Sequence, residues 1–114
     1  MIKGSFKRTG SGRIVSFELT GHAEAGPYGS DVVCAAVTAL AISTVNGIDA
    51  LAGFEPIVEV EDVEGGYLYV EMLTTVNQEQ KNIAQILLEN LLLGLQSIEN
   101  ENTEFIQIKT ITEK

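Results

Sequence analysis

The chain has 114 residues, of which 45% are hydrophobic, so it is long enough to bury one core and too short for two. Sixteen acidic against seven basic residues give a formal net charge of -9, which disfavours binding to nucleic-acid phosphates and to anionic lipid surfaces. We therefore expect a single domain, residues 1–114, that makes no direct contact with nucleic acid or with a membrane.

Cysteine and histidine usage limits the kinds of site that the chain can hold. Cys34 and His22 are the only residues of their types in the sequence. A lone cysteine cannot form an internal disulfide, and this pair falls short of the ligand sets of structural zinc sites. The N-terminal segment lacks the apolar core of a signal peptide, and we expect no stretch to reach the ~20 apolar residues that span a bilayer. We predict a cytoplasmic protein without a metal or other cofactor.

The first half of the chain predicts a hairpin followed by a helix. Residues 2–20 contain two extended segments around the turn signal Thr-Gly-Ser-Gly, with apolar and polar residues alternating in the second segment. After a glycine-rich loop, Ser30 or Asp31 can cap a helix that Gly53 should end. The apolar stripe of this helix is predicted to comprise Val33, Val37, Leu40, Ala41, Thr44, Ile48 and Leu51.

The second half repeats this order and adds a strand. Two strand-like runs surround Gly65 and Gly66, which supply the positive φ angles of a tight hairpin. Asn77 and Gln80 have capping-box spacing at the start of a leucine-rich helix, and residues 104–112 predict a last strand. The order ββαββαβ predicts an α+β fold with two helices packed on a mainly antiparallel sheet.

The segment Gly-His-Ala-Glu-Ala-Gly-Pro-Tyr-Gly-Ser-Asp-Val-Val-Cys holds both unique residues. Cys34 is predicted in the first turn of the first helix, where free amides and the helix dipole favour a thiolate. His22 lies twelve positions earlier, so a loop that folds back over the helix start can bring its imidazole to the sulfur. A small buried cysteine and an ordinary histidine are the alternative interpretation.

Asp31 and Thr38 share a helix ridge with Cys34, at spacings i, i+3 and i+7. The Thr38 hydroxyl can approach the sulfur, or it can bond back to the carbonyl of residue 34. Asp31 can orient His22, or it can act as a favourable charge at the helix start. The loop residues Gly21, Gly26, Pro27, Tyr28, Gly29 and Ser30 predict a flap that closes over a bound peptide, with a plain surface loop as the alternative.

The motif Thr-Gly-His-Ala, followed by Gly-x-Asp-x-Val-Cys-Ala-Ala-Val at residues 29–37, resembles the signature of the ribosomal-processing cysteine protease family. That family removes the N-terminal extension of a large-subunit ribosomal protein before ribosome assembly. The resemblance covers the whole chain, and it implies Cys34 as nucleophile, His22 as base, Asp31 as the motif acid, and a homodimer. Thr38 stands where serine is commoner in the family, so the hydroxyl is kept.

The sequence also allows two functions other than a protease. An acidic α+β domain with an inert cysteine could be a non-catalytic module that binds a basic ribosomal protein. A redox-sensing cysteine is the third hypothesis, although the sequence has no second cysteine to resolve an oxidised Cys34.

Overall fold

The computed structural model describes residues 1–21, 30–61 and 66–113, without the side chains of Ser30 and Asp31. Its elements follow the predicted order ββαββαβ, and the α+β prediction is confirmed. The elements are β1 (Ile2–Arg8), β2 (Ile14–Thr20), α1 (Ser30–Gly47), β3 (Ile57–Glu61), β4 (Tyr67–Glu71), α2 (Gln78–Glu101) and β5 (Ile106–Thr112).

The sheet has five strands in the spatial order β3-β4-β2-β1-β5. The pairs β1–β2, β2–β4 and β3–β4 are antiparallel, and only β5 runs parallel to its neighbour β1. In this register Lys3 lies opposite Thr20, Thr20 opposite Tyr67, and Tyr67 opposite Glu61. The starts of β1 and β4 and the ends of β2 and β3 are distant in sequence, but this register brings them together at one end of the sheet. We call it the groove end, because a groove lies there between the sheet and α1.

The core lies between one face of the sheet and the two helices. Phe6 and Phe17 are opposite each other on β1 and β2, and their rings stack at 5.4 Å between centroids. Val70 continues this buried row on β4, opposite Phe17. Burying three such side chains supplies several kcal/mol at about 1.5–3 kcal/mol each, so this row anchors the sheet beneath the helices.

Five of the seven stripe residues predicted for α1 are buried, namely Val33, Val37, Ala41, Thr44 and Ile48. Leu40 and Leu51 are exposed instead, the latter on a π-helical turn, Ile48–Ala52, that extends α1. Gly53 ends this turn with φ 79°, and its amide donates to the carbonyl of Ile48. The prediction that Gly53 ends the helix is confirmed.

The prediction that no stretch is long and apolar enough to span a bilayer was wrong. Among the described residues, Val32–Ala52 meets that test by length and composition alone, since Asp49 is its one charged residue. The same test is passed by the core helices of soluble proteins. An apolar stretch of 18 residues within this segment is 28% buried, because one stripe packs in the core while much of the remaining apolar surface faces outward.

Polar side chains cap the start of the second helix and join its middle to the sheet. The predicted capping box is present, with Asn77 Oδ1 accepting from the Gln80 amide and Gln80 Oε1 accepting from the Asn77 amide. Arg8 on β1 forms a two-pronged ion pair with Glu89, at 2.6 and 2.9 Å. This hydrogen bond lowers the pKa of Glu89 and raises that of Arg8. This ion pair joins α2 to β1 and stabilises the position of α2 on the sheet.

Candidate active site

A groove of about 350 Å³ lies between α1 and the groove end of the sheet. From the helix it takes Cys34, Val37, Thr38 and Ile42. The sheet and its flanking residues contribute Ile2, Leu19, Gly21, Val60, Glu61, Gly66, Tyr67 and Leu68. Most of these side chains are apolar, so the groove offers a surface for the apolar side chains of an extended peptide.

Cys34 is the fifth residue of α1 and is partly buried against the core. The helix already includes Ser30 and Asp31, so Cys34 follows the first turn instead of lying within it, as the sequence had indicated. The influence of the helix dipole decays within that turn. Exposure of the thiol to the groove is therefore the feature that makes it available to a substrate.

The two threonines of α1 make different use of their hydroxyls. Thr44 is buried, and its Oγ1 donates to the carbonyl of Leu40 at 2.8 Å. Thr38 is exposed and lines the groove one helical turn after Cys34. Among the described residues no partner binds the Thr38 hydroxyl, so the bond back to the carbonyl of Cys34 is not made. Thr38 therefore has a hydroxyl free to approach the groove.

Gly21 is the one residue of the predicted flap, apart from the backbone of Ser30, that lies in the described part of the chain. It follows β2 with φ 86°, and its amide donates to the carbonyl of Gly66 at 2.8 Å. A Cβ here would overlap the carbonyl oxygen of Met1. Glycine is therefore required at this rim of the groove, and His22 is joined directly to it.

The other predicted site residues lie outside the described part of the chain. These are His22, Gly26, Pro27, Tyr28 and Gly29, together with the side chains of Asp31 and Ser30. The pairing of His22 with Cys34, the role of Asp31 and the closing of the flap therefore stay predictions. Residues 1–21, 30–61 and 66–113 contain no group of three or more His, Cys, Asp or Glu side chains that could hold a metal ion.

Sequence reasoning missed the sheet side of the groove. Glu61 and Tyr67 lie opposite each other on β3 and β4 and line the groove with Cys34. Burial raises the pKa of Tyr67, and the charges of Glu18 and Glu59 and a hydrogen bond with Glu18 add to this effect. The double glycine indicated a hairpin, but only the shared lining of the groove shows that this hairpin lies beside α1.

Comparison with known proteins decides the family. The family model described as cysteine protease Prp matches residues 1–107. The chain belongs to the Prp family of cysteine proteases. It is 37% identical over 110 residues to the ribosomal processing cysteine protease Prp of Bacillus subtilis, covering 96% of this chain and 97% of that protein.

Solved structures of similar proteins share the whole fold. A protein of Streptococcus mutans has a TM-score of 0.87 and 35% identity, covering 99% of this chain and 96% of its own. The essential ribosomal processing protease Prp of Staphylococcus aureus has been solved with a substrate peptide, at TM-score 0.81 and 29% identity, covering 96% of this chain and 99% of its own. A second structure of that protease holds a covalently linked product peptide, at TM-score 0.81 and 33% identity with the same coverage.

Proposed function

We propose that this protease removes the N-terminal extension of a large-subunit ribosomal protein before ribosome assembly, in the cytoplasm. The observation that carries the proposal is the position of Cys34, the one cysteine of the sequence, in the wall of an apolar groove large enough for a peptide segment. The names of the Bacillus subtilis and Staphylococcus aureus relatives support a ribosomal substrate.

The proposed chemistry uses Cys34 and His22 as a dyad. His22 takes the thiol proton, and the thiolate attacks the scissile carbonyl to form a tetrahedral intermediate. The C–N bond then breaks, the imidazolium gives its proton to the departing amine, and water hydrolyses the thioester to regenerate the thiol. The covalently linked product peptide of the Staphylococcus aureus relative supports a covalent route.

The start of α1 provides further groups for this reaction. The first amides of a helix have no partner within it, and α1 begins four residues before Cys34, so these amides can stabilise the oxyanion of the intermediate. Thr38 is proposed to donate its free hydroxyl to the sulfur of Cys34. Asp31 is proposed to orient His22 once the loop has closed.

Closure of the flap is proposed to couple recognition to activation. Gly21, Gly26, Pro27, Tyr28, Gly29 and Ser30 would place His22 against Cys34 when the correct peptide is bound. Replacing Gly26 and Gly29 together by alanine removes backbone freedom and leaves the dyad intact. Peptide cleavage should fall while alkylation of Cys34 persists. Normal cleavage by the double variant would refute gating by this loop.

We also propose a homodimer that forms through the outer face of the two helices. Leu40, Leu51, Ile86 and Leu93 are large apolar residues exposed on the helices and the adjoining π-helical turn. Because Val32–Ala52 contains one charged residue, two copies of a chain with net charge -9 can approach here with little repulsion. Leu93→Glu should convert the dimer into a monomer in light scattering; a wild type that is itself monomeric would refute this proposal.

The direct test of the function is incubation of the purified chain with the extended ribosomal protein of the same cell. We expect intact-mass measurement to show two products, the mature protein and its released extension. Alkylation of Cys34 beforehand should abolish their formation. If the two proteins bind each other and no bond is cleaved, the non-catalytic acidic binding module is the correct function instead.

A further inference from the structure

The outer edge of β3 lies beside the groove. Within the described part of the chain, β3 is the last strand on its side of the sheet and pairs with β4 alone. Leu19, Leu68 and Val60 lie opposite one another on β2, β4 and β3. All three line the groove, whose helix wall holds Cys34. The floor of the groove therefore runs across three strands and ends at the edge of the sheet.

The direction of the hydrogen bonds shows which residues of β3 point their backbone groups outward. Met72, directly after β4, donates its amide to the carbonyl of Val15, which lies opposite it on β2. Hydrogen-bonded residues alternate along an antiparallel pair, so the even-numbered residues of β4 bond to β2 and the odd-numbered ones bond to β3. Glu59 therefore bonds to β4. Val58 and Val60 turn their N–H and C=O groups toward the open edge.

The two edges of the sheet differ in how they are covered. At β5, the amide of Ile108 donates to the carboxylate of Glu99 on α2 at 2.7 Å. No side chain among the described residues binds the backbone of Val58 or Val60 in this way. Their side chains face the same side of the sheet as the buried Val70, yet they are 42% and 59% exposed. An exposed apolar edge of this kind can pair with another extended chain.

A second copy of this chain is a poor partner for the edge. An antiparallel pair of two β3 strands that used both free residues would place Val58 opposite Val60, and Glu59 opposite its own copy. Like charges directly opposite each other are unfavourable in a sheet. The basic residues on that sheet face are at least three strands, or about 14 Å, from β3 and do not pair with Glu59. They are Lys3, Lys7 and Lys109.

A peptide that is cleaved at Cys34 can reach this edge. Two strand spacings of ~4.8 Å separate Leu19 from Val60 across the floor of the groove, so about three extended residues cross it. The next residues of the peptide can then lie along β3. Backbone hydrogen bonds to Val58 and Val60 would add affinity, and apolar side chains of the peptide would cover these two valines.

We propose that β3 binds the substrate by strand addition. A segment of the substrate about three residues beyond the groove pairs with Val58 and Val60 and becomes a sixth strand of the sheet. Its residue opposite Glu59 is basic or uncharged. The inference rests on the proposed function, because the added strand belongs to the substrate of that function.

Val58→Pro tests the edge and leaves the sheet intact. It removes the outward N–H of Val58, which the pairing with β4 does not use, and proline is tolerated at such edge positions. Val58→Ala is the matched control, because it also shortens the side chain and keeps the N–H. With the extended ribosomal protein as substrate, kcat/KM of Val58→Pro should be roughly fivefold below that of Val58→Ala, mainly through a higher KM. Circular dichroism should show that both variants are folded.

Backbone methylation of the substrate gives a second measurement, which decides the question should Val58→Pro fail to fold. Synthetic peptides that span the cleavage site carry one N-methyl group each, moved along the segment residue by residue. Because the residues of an added strand alternate in their hydrogen bonding, the loss of cleavage by the wild type should recur at every second residue of the segment. With Val58→Pro these losses should be smaller, because the strand is already weakly held.

The outcomes separate the inference from the function on which it rests. If Val58→Pro cleaves as well as Val58→Ala, or if the N-methyl losses show no two-residue period, strand addition is refuted while cleavage by the wild type leaves the function standing. If Val58→Pro converts a dimer into a monomer in light scattering and N-methylation has no effect, the edge pairs with a second copy and the proposal is again refuted. If the wild type leaves the extended protein intact, the proposed function is refuted, and the inference falls with it.

Discussion

The hydroxyl of Thr38 offers a test of the site that can be separated from stability. Thr38→Val keeps the shape of the side chain and removes only the hydroxyl. Because Thr38 is exposed and its hydroxyl has no partner among the described residues, the free energy of unfolding should change by less than about 0.5 kcal/mol.

The effect on activity should be larger. A hydrogen bond to a charged group is worth about 1.5–3 kcal/mol, and sulfur is a weak acceptor, so we take the lower end of that range. This corresponds to a loss of roughly tenfold in kcat/KM. Thr38→Ser keeps the hydroxyl and should cleave almost as well as the wild type.

Thr44→Val is the matched control on the same helix. It removes the 2.8 Å hydrogen bond to the carbonyl of Leu40 at a buried site, so it should cost up to about 1 kcal/mol of stability and leave kcat/KM unchanged. The assays are cleavage of the extended ribosomal protein and thermal unfolding followed by circular dichroism. Full activity of Thr38→Val, or a loss of stability equal to that of Thr44→Val, would refute the reasoning.

Three further predictions concern the rim, the ion pair and the thiol. Gly21→Ala should destabilise the chain by at least about 1 kcal/mol more than Gly12→Ala, because both positions have positive φ and only the Cβ at Gly21 overlaps another atom; equal losses would contradict this. The pKa of Glu89 is held below its usual 4.5 by the hydrogen bond from Arg8, so the stabilisation is present above pH 4.5 and is lost as the pH falls through the lowered value. At most about 1 kcal/mol is expected for this partly exposed pair, and in urea unfolding the difference between wild type and Glu89→Gln should shrink from pH 7 to pH 3; a constant difference would be inconsistent with it. His22→Ala should stay folded and lose cleavage of the extended ribosomal protein while iodoacetamide still alkylates Cys34, because His22 acts on the sulfur only when the peptide is bound; substantial cleavage by His22→Ala would argue against the dyad.

Local patterns in the sequence were sufficient for most of the fold. The capping box of Asn77 and Gln80 and the left-handed Gly53 are formed within a few residues, so their sequence signals are complete. The alternation of Val15, Phe17 and Leu19 on β2 predicted one buried face, which Phe17 and Leu19 confirm, whereas Val15 is only half-buried. Ser16, predicted on the polar face, is buried as well. The exposure of Leu40 and Leu51 could not be predicted, because helical periodicity identifies a stripe and does not show how much of it a neighbouring element covers.

The site was predicted only on its helix side. Cys34 and Thr38 lie one turn apart on α1, so their proximity follows from helix geometry. Glu61 and Tyr67 reach the same groove through the pairing of β3 with β4 and of β4 with β2, which depends on strand order. Strand order is a long-range property, and one sequence contains no local signal for it.

The central claim is that Cys34 is the nucleophile that cleaves the extension, and Cys34→Ala tests it most directly. The variant should unfold at nearly the same temperature as the wild type, because it only shortens a partly buried side chain. Incubated with the extended ribosomal protein, it should leave the intact mass of that protein unchanged, while the wild type converts it to the mature form. Substantial cleavage by folded Cys34→Ala would contradict the account.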